Sequence, residues 1–600
     1  MTEWGLLRGE WIGHLGTRRS AIGLGQGIVL GALWWTGQHK VWPATDPVVF
    51  AALALPFLFA PLAWLQGLAH IPKARLAVWT LCVALLSAGL GAYAASRDTQ
   101  RIDVDFLLPE SPLYVFLAAA FFIAQTLIVS AIADRRSVAA YTTYFDTAWK
   151  HAVQAAAAVG FSAALWVLLL LGAQLFNVIG LAFLQTLIRK GWFALPVTAL
   201  AVAVAVHVTD VRPALVRGIR TLALTLLSWL LPLLALIVAG FLASLLGTGL
   251  APLWNTKFAA ALLLGVTAAL IILINAAHQD GAAEPSVSPS ILRRVARFAA
   301  LLPAPLVAIA AYALALRVGE YGWTVDRVIA LACIVVAACY ALGYALSVVR
   351  ARTWARDLER CNIATAFVVV LVIVALFSPL ADPARISVSS QMARLHAGKV
   401  ASEEFDYKYL RFGAGRYGRA ALEKLAGGEV QVADVQERAR LALQLTKERE
   451  PLPPTKAAFA AHIAPLRPNQ RIPQSFVDQD WQKSTDQTTP LALACMKGGD
   501  AACEAWLVDL DGDDVGEVVL FDGTAFAPPQ FYRDDGGGTW SYAGSLPARL
   551  SCADMRTLLR FGDYALVVPA HKWREIDLDG LRIPVSEFRA FSPCPPDPPK

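Results

Sequence analysis

Residues 47–67 read PVVFAALALPFLFAPLAWLQG, a run of 21 positions without a charged side chain. A helix of about 20 apolar residues is long enough to cross the hydrocarbon core of a bilayer. Within lipid, only helices and closed barrels satisfy their own backbone hydrogen bonds, and an apolar run of this length is typical of a helix. The stretch therefore predicts a membrane-spanning helix.

Similar runs recur along the first two thirds of the chain. Hydrophobic residues make up 56% of the 600 positions and charged residues only 16%, whereas soluble domains carry about 25% charged residues. We therefore predict an α-helical polytopic membrane bundle of about 11 transmembrane helices. The predicted spans are 20–37, 47–67, 74–96, 112–133, 152–180, 193–209, 219–247, 258–277, 296–316, 326–349 and 362–381.

Charge is distributed unevenly along the chain and between alternate loops. The first 382 residues hold 26 Lys/Arg and 17 Asp/Glu, and the remaining residues hold 26 Lys/Arg and 29 Asp/Glu. One set of alternate loops carries 18 of the 26 basic residues and the other set carries 8. Basic loops stay in the cytoplasm, so an odd number of spans predicts a cytoplasmic N-terminus and an exported C-terminus. For a bacterium with two membranes, this means an inner-membrane protein with a periplasmic C-terminal domain.

The predicted organisation has five parts. Residues 1–19 form a cytoplasmic segment, 20–382 the transmembrane domain and 383–450 a helical juxtamembrane part of the exported domain. Residues 451–592 are predicted to form a soluble α+β domain with a β-meander, and the Pro-rich residues 593–600 a disordered end. The strand patterns, which Asp/Gly turns separate, are Ala505–Val508, Val518–Phe521, Gln530–Tyr532 and Trp540–Tyr542, with a helix near 552–560 and later strands at Tyr564–Val568 and Arg582–Val585.

Cysteine usage differs between the two halves. The exported part contains Cys495, Cys503, Cys552 and Cys594, which could form two disulfides in an oxidising compartment. The short spacing of Cys495 and Cys503 favours that pair, and four free thiols are the alternative.

One acidic run could bind a hard cation. Carboxylates stand at Asp509, Asp511, Asp513 and Glu517, and the carbonyl of Val515 falls between the last two. Oxygen ligands at this spacing can surround calcium. The run resembles the calcium loops of FG-GAP repeats, although Asp514 stands where glycine is usual. The alternative is an acidic turn between two strands.

A family resemblance comes from two stretches. Tyr144-Phe145-Asp146-Thr147-Ala148-Trp149 leads into the fifth predicted span. Phe405-Asp406-Tyr407-Lys408-Tyr409-Leu410-Arg411-Phe412 and Gly415-Arg416-Tyr417-Gly418-Arg419 open the exported part. Together they resemble the DUF4153 family of uncharacterised bacterial membrane proteins. The resemblance implies a polytopic membrane protein and no particular reaction.

The spans carry almost no charge in their middles, where ion-coupled transporters usually place ionisable groups. Their interior polar residues are predicted to hydrogen-bond between helices or lie near the interfaces. These are Gln125, Gln174, Asn177, His207 and Asn275. Gly23, Gly27 and Gly31 form one stripe on the first span, which favours close helix packing within the chain or self-association.

Motifs of known catalytic sites are missing from the sequence, including H-E-x-x-H, G-x-S-x-G and the Walker loop. The leading hypothesis is a non-enzymatic envelope protein whose exported domain binds a protein, a lipid or calcium, with no nucleic-acid partner. One alternative is a transporter or lipid flippase. Another is a membrane-embedded enzyme acting on lipid-linked substrates, for which Asp98, Arg101, Asp103 and Asp105 are the only dense polar group on the outer side.

Overall fold

The computed structural model divides the chain into two compact units. The first comprises Met1–Ala397 and Ala414–Tyr417, and the second comprises Gly398–Gly413 and Gly418–Lys600. The residues that the structure describes are 3–97, 112–254, 259–279, 290–350, 352–449, 452–479, 481, 493–497, 502–522, 527–567, 576–578 and 581–583. The dense polar group at Asp98 to Asp105 lies outside them, as does Cys594.

All regular structure described in the first unit is helical. Its helices are α1 (Glu3–His39), α2 (Pro47–Gly67), α3 (Lys73–Arg97), α4 (Leu113–Ala133), α5 (Tyr141–Val178), α6 (Phe183–Ile188), α7 (Gly191–Val211), α8 (Pro213–Thr248), α9 (Ala251–Trp254), α10 (Ala259–His278), α11 (Ser290–Ala299), α12 (Pro303–Tyr321), α13 (Val325–Val349), α14 (Trp354–Leu376) and α15 (Pro383–His396).

By length and composition, 10 helical stretches among the described residues could cross a membrane, with α11 and α12 counted together. They correspond to the second to eleventh predicted spans, so the predicted helical bundle is confirmed. The short span at 193–209 is a continuous helix, α7. The first predicted span lies within α1, which is not among the ten, because glycines and Gln26 dilute its apolar residues.

Polar side chains in the interior of the bundle form hydrogen bonds between neighbouring helices. Asn275 Nδ2 donates to the Tyr344 hydroxyl at 2.8 Å, that hydroxyl donates to Asn362 Oδ1 at 2.7 Å, and Asn362 Nδ2 donates to Asn275 Oδ1 at 2.6 Å. The ring joins α10, α13 and α14. Likewise, Gln125 of α4 accepts from Trp79 Nε1 of α3 at 2.5 Å. Both predicted interior residues therefore hold helices together.

The second unit combines short helices with a sheet, and its first helix begins within the segment Ala414–Tyr417 that belongs to the first unit. After a π-turn at Tyr409–Gly413, its elements are α16 (Gly415–Ala426), α17 (Ala433–Gln444), α18 (Lys456–His462), β1 (Ile463–Pro465), α19 (Gln474–Asp478), α20 (Ala494–Lys497), β2 (Cys503–Val508), β3 (Glu517–Phe521), β4 (Gln530–Asp534), β5 (Trp540–Ser545), a 3-10 turn (Ala548–Ser551), α21 (Ala553–Phe561), β6 (Ile576–Leu578) and β7 (Leu581–Ile583).

The five-stranded sheet follows chain order, β1-β2-β3-β4-β5. Strands β2 to β5 pair antiparallel, which confirms the predicted meander. Strand β1 adds a parallel pairing to β2 that the sequence did not indicate. The predicted strand at Tyr564–Val568 is wrong over residues 564–567, which form no strand.

Both faces of the sheet are covered, because β3 is buried along its whole length. One face is covered by Phe476, Tyr532 and Trp540. The centre of the Phe476 ring lies 5.5 Å from that of Tyr532 and 5.3 Å from that of Trp540. Trp506, Val519 and Phe521 pack on the other face. A sheet buried on both faces holds its connecting loops in fixed positions at its ends.

Candidate functional site

The acidic run occupies the hairpin between β2 and β3. Val508, the last residue of β2, pairs with Glu517, the first residue of β3. The strand pairing therefore brings Asp509 and Glu517 to the same end of the sheet. Antiparallel pairing places directly opposite residues about 5 Å apart, which explains how carboxylates eight positions apart meet.

Three of the predicted ligands converge. One carboxylate oxygen from each of Asp509, Asp511 and Glu517 lies within 4.8 Å of the others. Calcium takes oxygen ligands at about 2.3–2.6 Å, so two ligands of one ion lie at most about 5 Å apart. The arrangement therefore fits a calcium ion. Asp513 is not part of this group, and its Oδ1 accepts from the Val515 N–H at 2.8 Å.

Backbone N–H groups hold the carboxylates in place. Asp509 accepts from the N–H of Gly512 at 2.6 Å and of Asp514 at 3.1 Å. Glu517 Oε2 accepts from the Leu510 N–H at 2.6 Å. Asp514 has a φ of 67°, in the left-handed region that glycine adopts most readily. An aspartate tolerates this conformation better than most residues, which explains how it stands where glycine is usual.

Burial and neighbouring charge both act on Glu517. Burial raises the pKa of this carboxyl group above its ordinary value, and the negative charges of Asp511 and Asp513 raise it further. The bond from the Leu510 N–H opposes the shift. A cation among these carboxylates would remove the repulsion and favour the ionised form.

The cysteines divide between the two units. Cys495 and Cys503 are buried and form a disulfide between positions that are eight apart in sequence, with a Cα–Cα distance of 5.8 Å. Cys552 is buried and also disulfide-bonded, and Cys594 lies outside the described residues. In the first unit, Cys82, Cys333, Cys339 and Cys361 are free thiols.

The glycine stripe of α1 packs against α7. A Cβ atom on Gly27 would lie 2.3 Å from Pro196 Cα, and one on Gly23 would lie 2.8 Å from the Ala199 carbonyl oxygen. A Cβ atom on Gly31 would lie 3.3 Å from Trp192 Cα, its nearest neighbour. The stripe is therefore used for close packing within the chain.

A polar cluster that the sequence patterns do not predict lies at one end of the first unit. Arg19 of α1 is fully buried, and its Nη2 lies 2.6 Å from Asp210 Oδ2 near the end of α7. Asp210 Oδ1 lies 2.5 Å from Lys150 Nζ and 3.1 Å from His70 Nε2. We call these four residues the Asp210 cluster.

The cations of the Asp210 cluster outnumber its carboxylate. Arg19 and Lys150 share one acceptor side chain, and Arg19 Nε and Nη1 are buried without a hydrogen-bond partner. Lys150 Nζ also lies 2.7 Å from His70 Nε2, and an imidazole ring supplies no negative charge. The cluster therefore carries a net positive charge.

The sequence contains a weak signal for this cluster. All four residues lie in or beside loops of the basic, predicted cytoplasmic set, and Asp210 stands just before the basic segment that contains Arg212, Arg217 and Arg220. Nothing in the sequence pairs Arg19 with Asp210, however, because 191 positions separate them. His207, one of the predicted interior polar residues, lies one turn before Asp210 and packs against Gly16.

A second buried carboxylate belongs to the first unit. Asp382 accepts from the Tyr93 hydroxyl at 2.6 Å and from the Ala384 N–H at 2.8 Å, which caps α15. Arg97 Nη1 lies 3.3 Å from both of its oxygens. Asp382 therefore ties α3 to the start of α15 through these hydrogen bonds.

Comparison with known proteins gives one match. The sequence model of a family described as a domain of unknown function, DUF4153, matches residues 62–425. This range covers most of the helical bundle and the first part of the second unit. No curated protein and no solved structure matches the chain.

Proposed function

This chain belongs to the DUF4153 family, and we propose that it is a multi-pass inner-membrane protein of a bacterium, presenting a periplasmic binding or sensory domain and catalysing no reaction. The observation that carries the proposal is the distribution of cysteines. Disulfides persist in oxidising compartments and are rare in the cytosol. A disulfide in the second unit and free thiols in the first therefore favour export of the second unit.

Loop charge supports the same orientation. The Asp210 cluster and the adjacent arginine pairs Arg18-Arg19, Arg135-Arg136 and Arg293-Arg294 belong to the loop set with 18 basic residues. Positive loops remain on the cytoplasmic side. With α1 crossing the bilayer as the first of eleven spans, the second unit lies on the opposite side.

Cysteine mapping in the intact cell envelope tests this orientation. The chain is alkylated under non-reducing, denaturing conditions and digested for mass spectrometry. We expect alkylated Cys82, Cys333, Cys339 and Cys361, and a linked peptide pair containing Cys495 and Cys503. Alkaline phosphatase, which is active only after export, should be active when fused after Lys600 and inactive when fused after Val138. Alkylated Cys495 together with an inactive C-terminal fusion would contradict the proposal.

We further propose that the hairpin between β2 and β3 binds calcium. The convergence of Asp509, Asp511 and Glu517 supports this proposal, since three carboxylates of one short hairpin repel one another unless a cation or a proton joins them. Backbone N–H groups already hold the carboxylates of Asp509 and Glu517 in position, so these two side chains lose little further conformational freedom when a cation binds. Because the hairpin is open to solvent at Asp511, we expect a weak, extracellular type of affinity, with a Kd on the order of 10⁻⁴–10⁻³ M.

Titration calorimetry of the full chain in detergent tests calcium binding. Asp511→Asn should weaken binding by at least about tenfold, because it removes one of three charged ligands. Asp514→Asn is the matched control, since its carboxylate lies outside the group and asparagine tolerates a positive φ. Affinity should also fall as pH is lowered through the raised pKa of Glu517, because a protonated carboxyl group binds the cation poorly. Equal affinities for the two variants would exclude this loop as the site.

A second candidate is a membrane carrier or flippase. The observation in its favour is the fully buried Arg19, whose side chain retains two nitrogen atoms without partners. Buried ionisable groups within a bundle often mark a substrate path. Movement of a labelled phospholipid across vesicles that contain the purified chain would favour the carrier, and its absence would favour the binding protein.

A further inference from the structure

A cleft opens beside the Asp210 cluster in the first unit. Its volume is about 840 Å³, and it lies between the segment that leads into α3 and the end of α4. Its polar wall consists of His70, Arg75, Arg135 and Arg136, and the remainder is proline, alanine and isoleucine. We call it the basic cleft. Its volume falls in the range of about 300–1,000 Å³ that small-molecule sites occupy.

The charge of the basic cleft is not neutralised within the described part of the chain. No carboxylate lines it, and Arg75, Arg135 and Arg136 are exposed and form no ion pair with a described residue. Asp134 is adjacent in sequence, but its carboxylate accepts from the Ala140 N–H at 2.7 Å and from Thr143 Oγ1 at 2.9 Å. Three guanidinium groups therefore face the cleft without a counter-charge.

The neighbouring cluster cannot supply that counter-charge. His70 belongs to both the basic cleft and the Asp210 cluster, and Asp210 is the nearest acidic group that it contacts. Arg19 and Lys150 already take both oxygens of Asp210. The positive charge behind the cleft therefore adds to that of its wall.

Arg135 occupies a backbone position at which glycine is the usual residue. Its φ is 53°, and the N–H of Arg136 donates to the Ala131 carbonyl at 3.1 Å, which closes the end of α4. A left-handed residue at this place in a helix end is most often glycine, because the Cβ atom of other L-residues disfavours that conformation. Arg135 therefore lines the cleft from a turn that a glycine would form more readily.

The helix ends themselves do not determine the sign of the cleft. The start of α3 contributes a partial positive charge and the end of α4 a partial negative one. Both border the cleft, at Ala74 and at Ala133. Because these contributions oppose each other, the three arginines decide the sign, and the cleft attracts anions.

We propose that the basic cleft binds a phosphate group, either of an anionic lipid headgroup or of a soluble phosphate compound. Guanidinium groups form paired hydrogen bonds with phosphate oxygens, and arginine is preferred over lysine for this recognition. All three cations of the wall are arginines. Basic pockets beside the ends of membrane helices are suited to phosphate headgroups.

The test compares the full chain with three variants in lipid nanodiscs and in neutral detergent. Arg75→Gln combined with Arg136→Gln removes two of the three charges. Arg135→Gly removes the third and relieves the positive φ, so it should fold at least as well as the wild type. Arg356→Gln is the matched control, because Arg356 is an exposed arginine of the same loop set outside the cleft.

Unfolding temperature and lipid retention in native mass spectrometry are measured with and without phosphatidylglycerol in phosphatidylcholine. Inorganic pyrophosphate, titrated in detergent, is the soluble probe. The wild type and Arg356→Gln should respond to at least one probe, with affinity at least about tenfold lower in each cleft variant. A response to the lipid assigns a headgroup, and a response to pyrophosphate assigns a soluble phosphate compound. No response to either probe, or an equal loss in Arg356→Gln, overturns the proposal.

Discussion

Asp210 is the only carboxylate among the four residues of its cluster, and two cations depend on it. Arg19 is fully buried, whereas Lys150 reaches the surface. A buried guanidinium group cannot lose its proton, so it needs a fixed counter-charge. The cluster is therefore most sensitive to a change at Asp210.

We predict that Asp210→Asn lowers the free energy of unfolding of the first unit by about 3–5 kcal/mol, the range observed when one partner of a buried ion pair is removed. Combining Asp210→Asn with Arg19→Leu should recover part of this loss, because no buried charge then remains. Fluorescence-monitored thermal unfolding in detergent measures both. Asp146→Asn is the control, since Asp146 is 61% exposed in its pair with Arg220 and should cost at most about 1 kcal/mol.

Sites formed by residues close in sequence were easier to predict than those assembled in space. Asp509 and Glu517 lie on one hairpin, and Cys495 and Cys503 are eight positions apart, so spacing alone suggested each grouping. Arg19 and Asp210 belong to different helices, and their pairing follows from the packing of α1 on α7. A single sequence does not show which helices pack against each other.

At the level of elements, α1 and α7 pack with almost no side chain between them. Contacts run in opposite directions along the two helices: Gly16 lies beside His207, Gly23 beside Ala199, Gly27 beside Pro196 and Gly31 beside Trp192. The two helices are therefore antiparallel. In lipid, close backbone approach replaces the hydrophobic effect as the source of helix association. Glycine spacing in the sequence indicated a packing face, whereas its partner helix could come only from the structure.

We predict that Gly27→Leu separates α1 from α7 and lowers stability by about 1–3 kcal/mol, the usual cost of overpacking. Gly25→Leu is the control on the same helix, because a Cβ atom at Gly25 meets nothing within 4 Å. Unfolding temperatures of the two variants in one detergent give the comparison. A similar loss in both would mean that the helix, rather than its contact with α7, is sensitive to leucine.

At the level of the whole molecule, the two units differ in chemistry. The first is a helical bundle with free thiols, and the second is a sheet domain with disulfide-bonded cysteines. Periodicity, hydropathy and turn residues predict both architectures, because each pattern extends over many residues. The parallel β1 strand escaped prediction because three residues, Ile463–Pro465, are too few to show a period.

The tight contact between α1 and α7 also affects how the protein is synthesised, because the two helices are made at different times. The ribosome makes α1 first, yet 151 residues lie between its end at His39 and the start of α7 at Gly191. At about 5–20 residues per second, the start of α7 is made roughly 8–30 s after the end of α1. During this interval a glycine-rich segment with a buried arginine at one end lacks the neighbour that completes it. We therefore expect the insertion machinery, or the helices made in between, to contact the glycine-rich face of α1 until α7 is inserted.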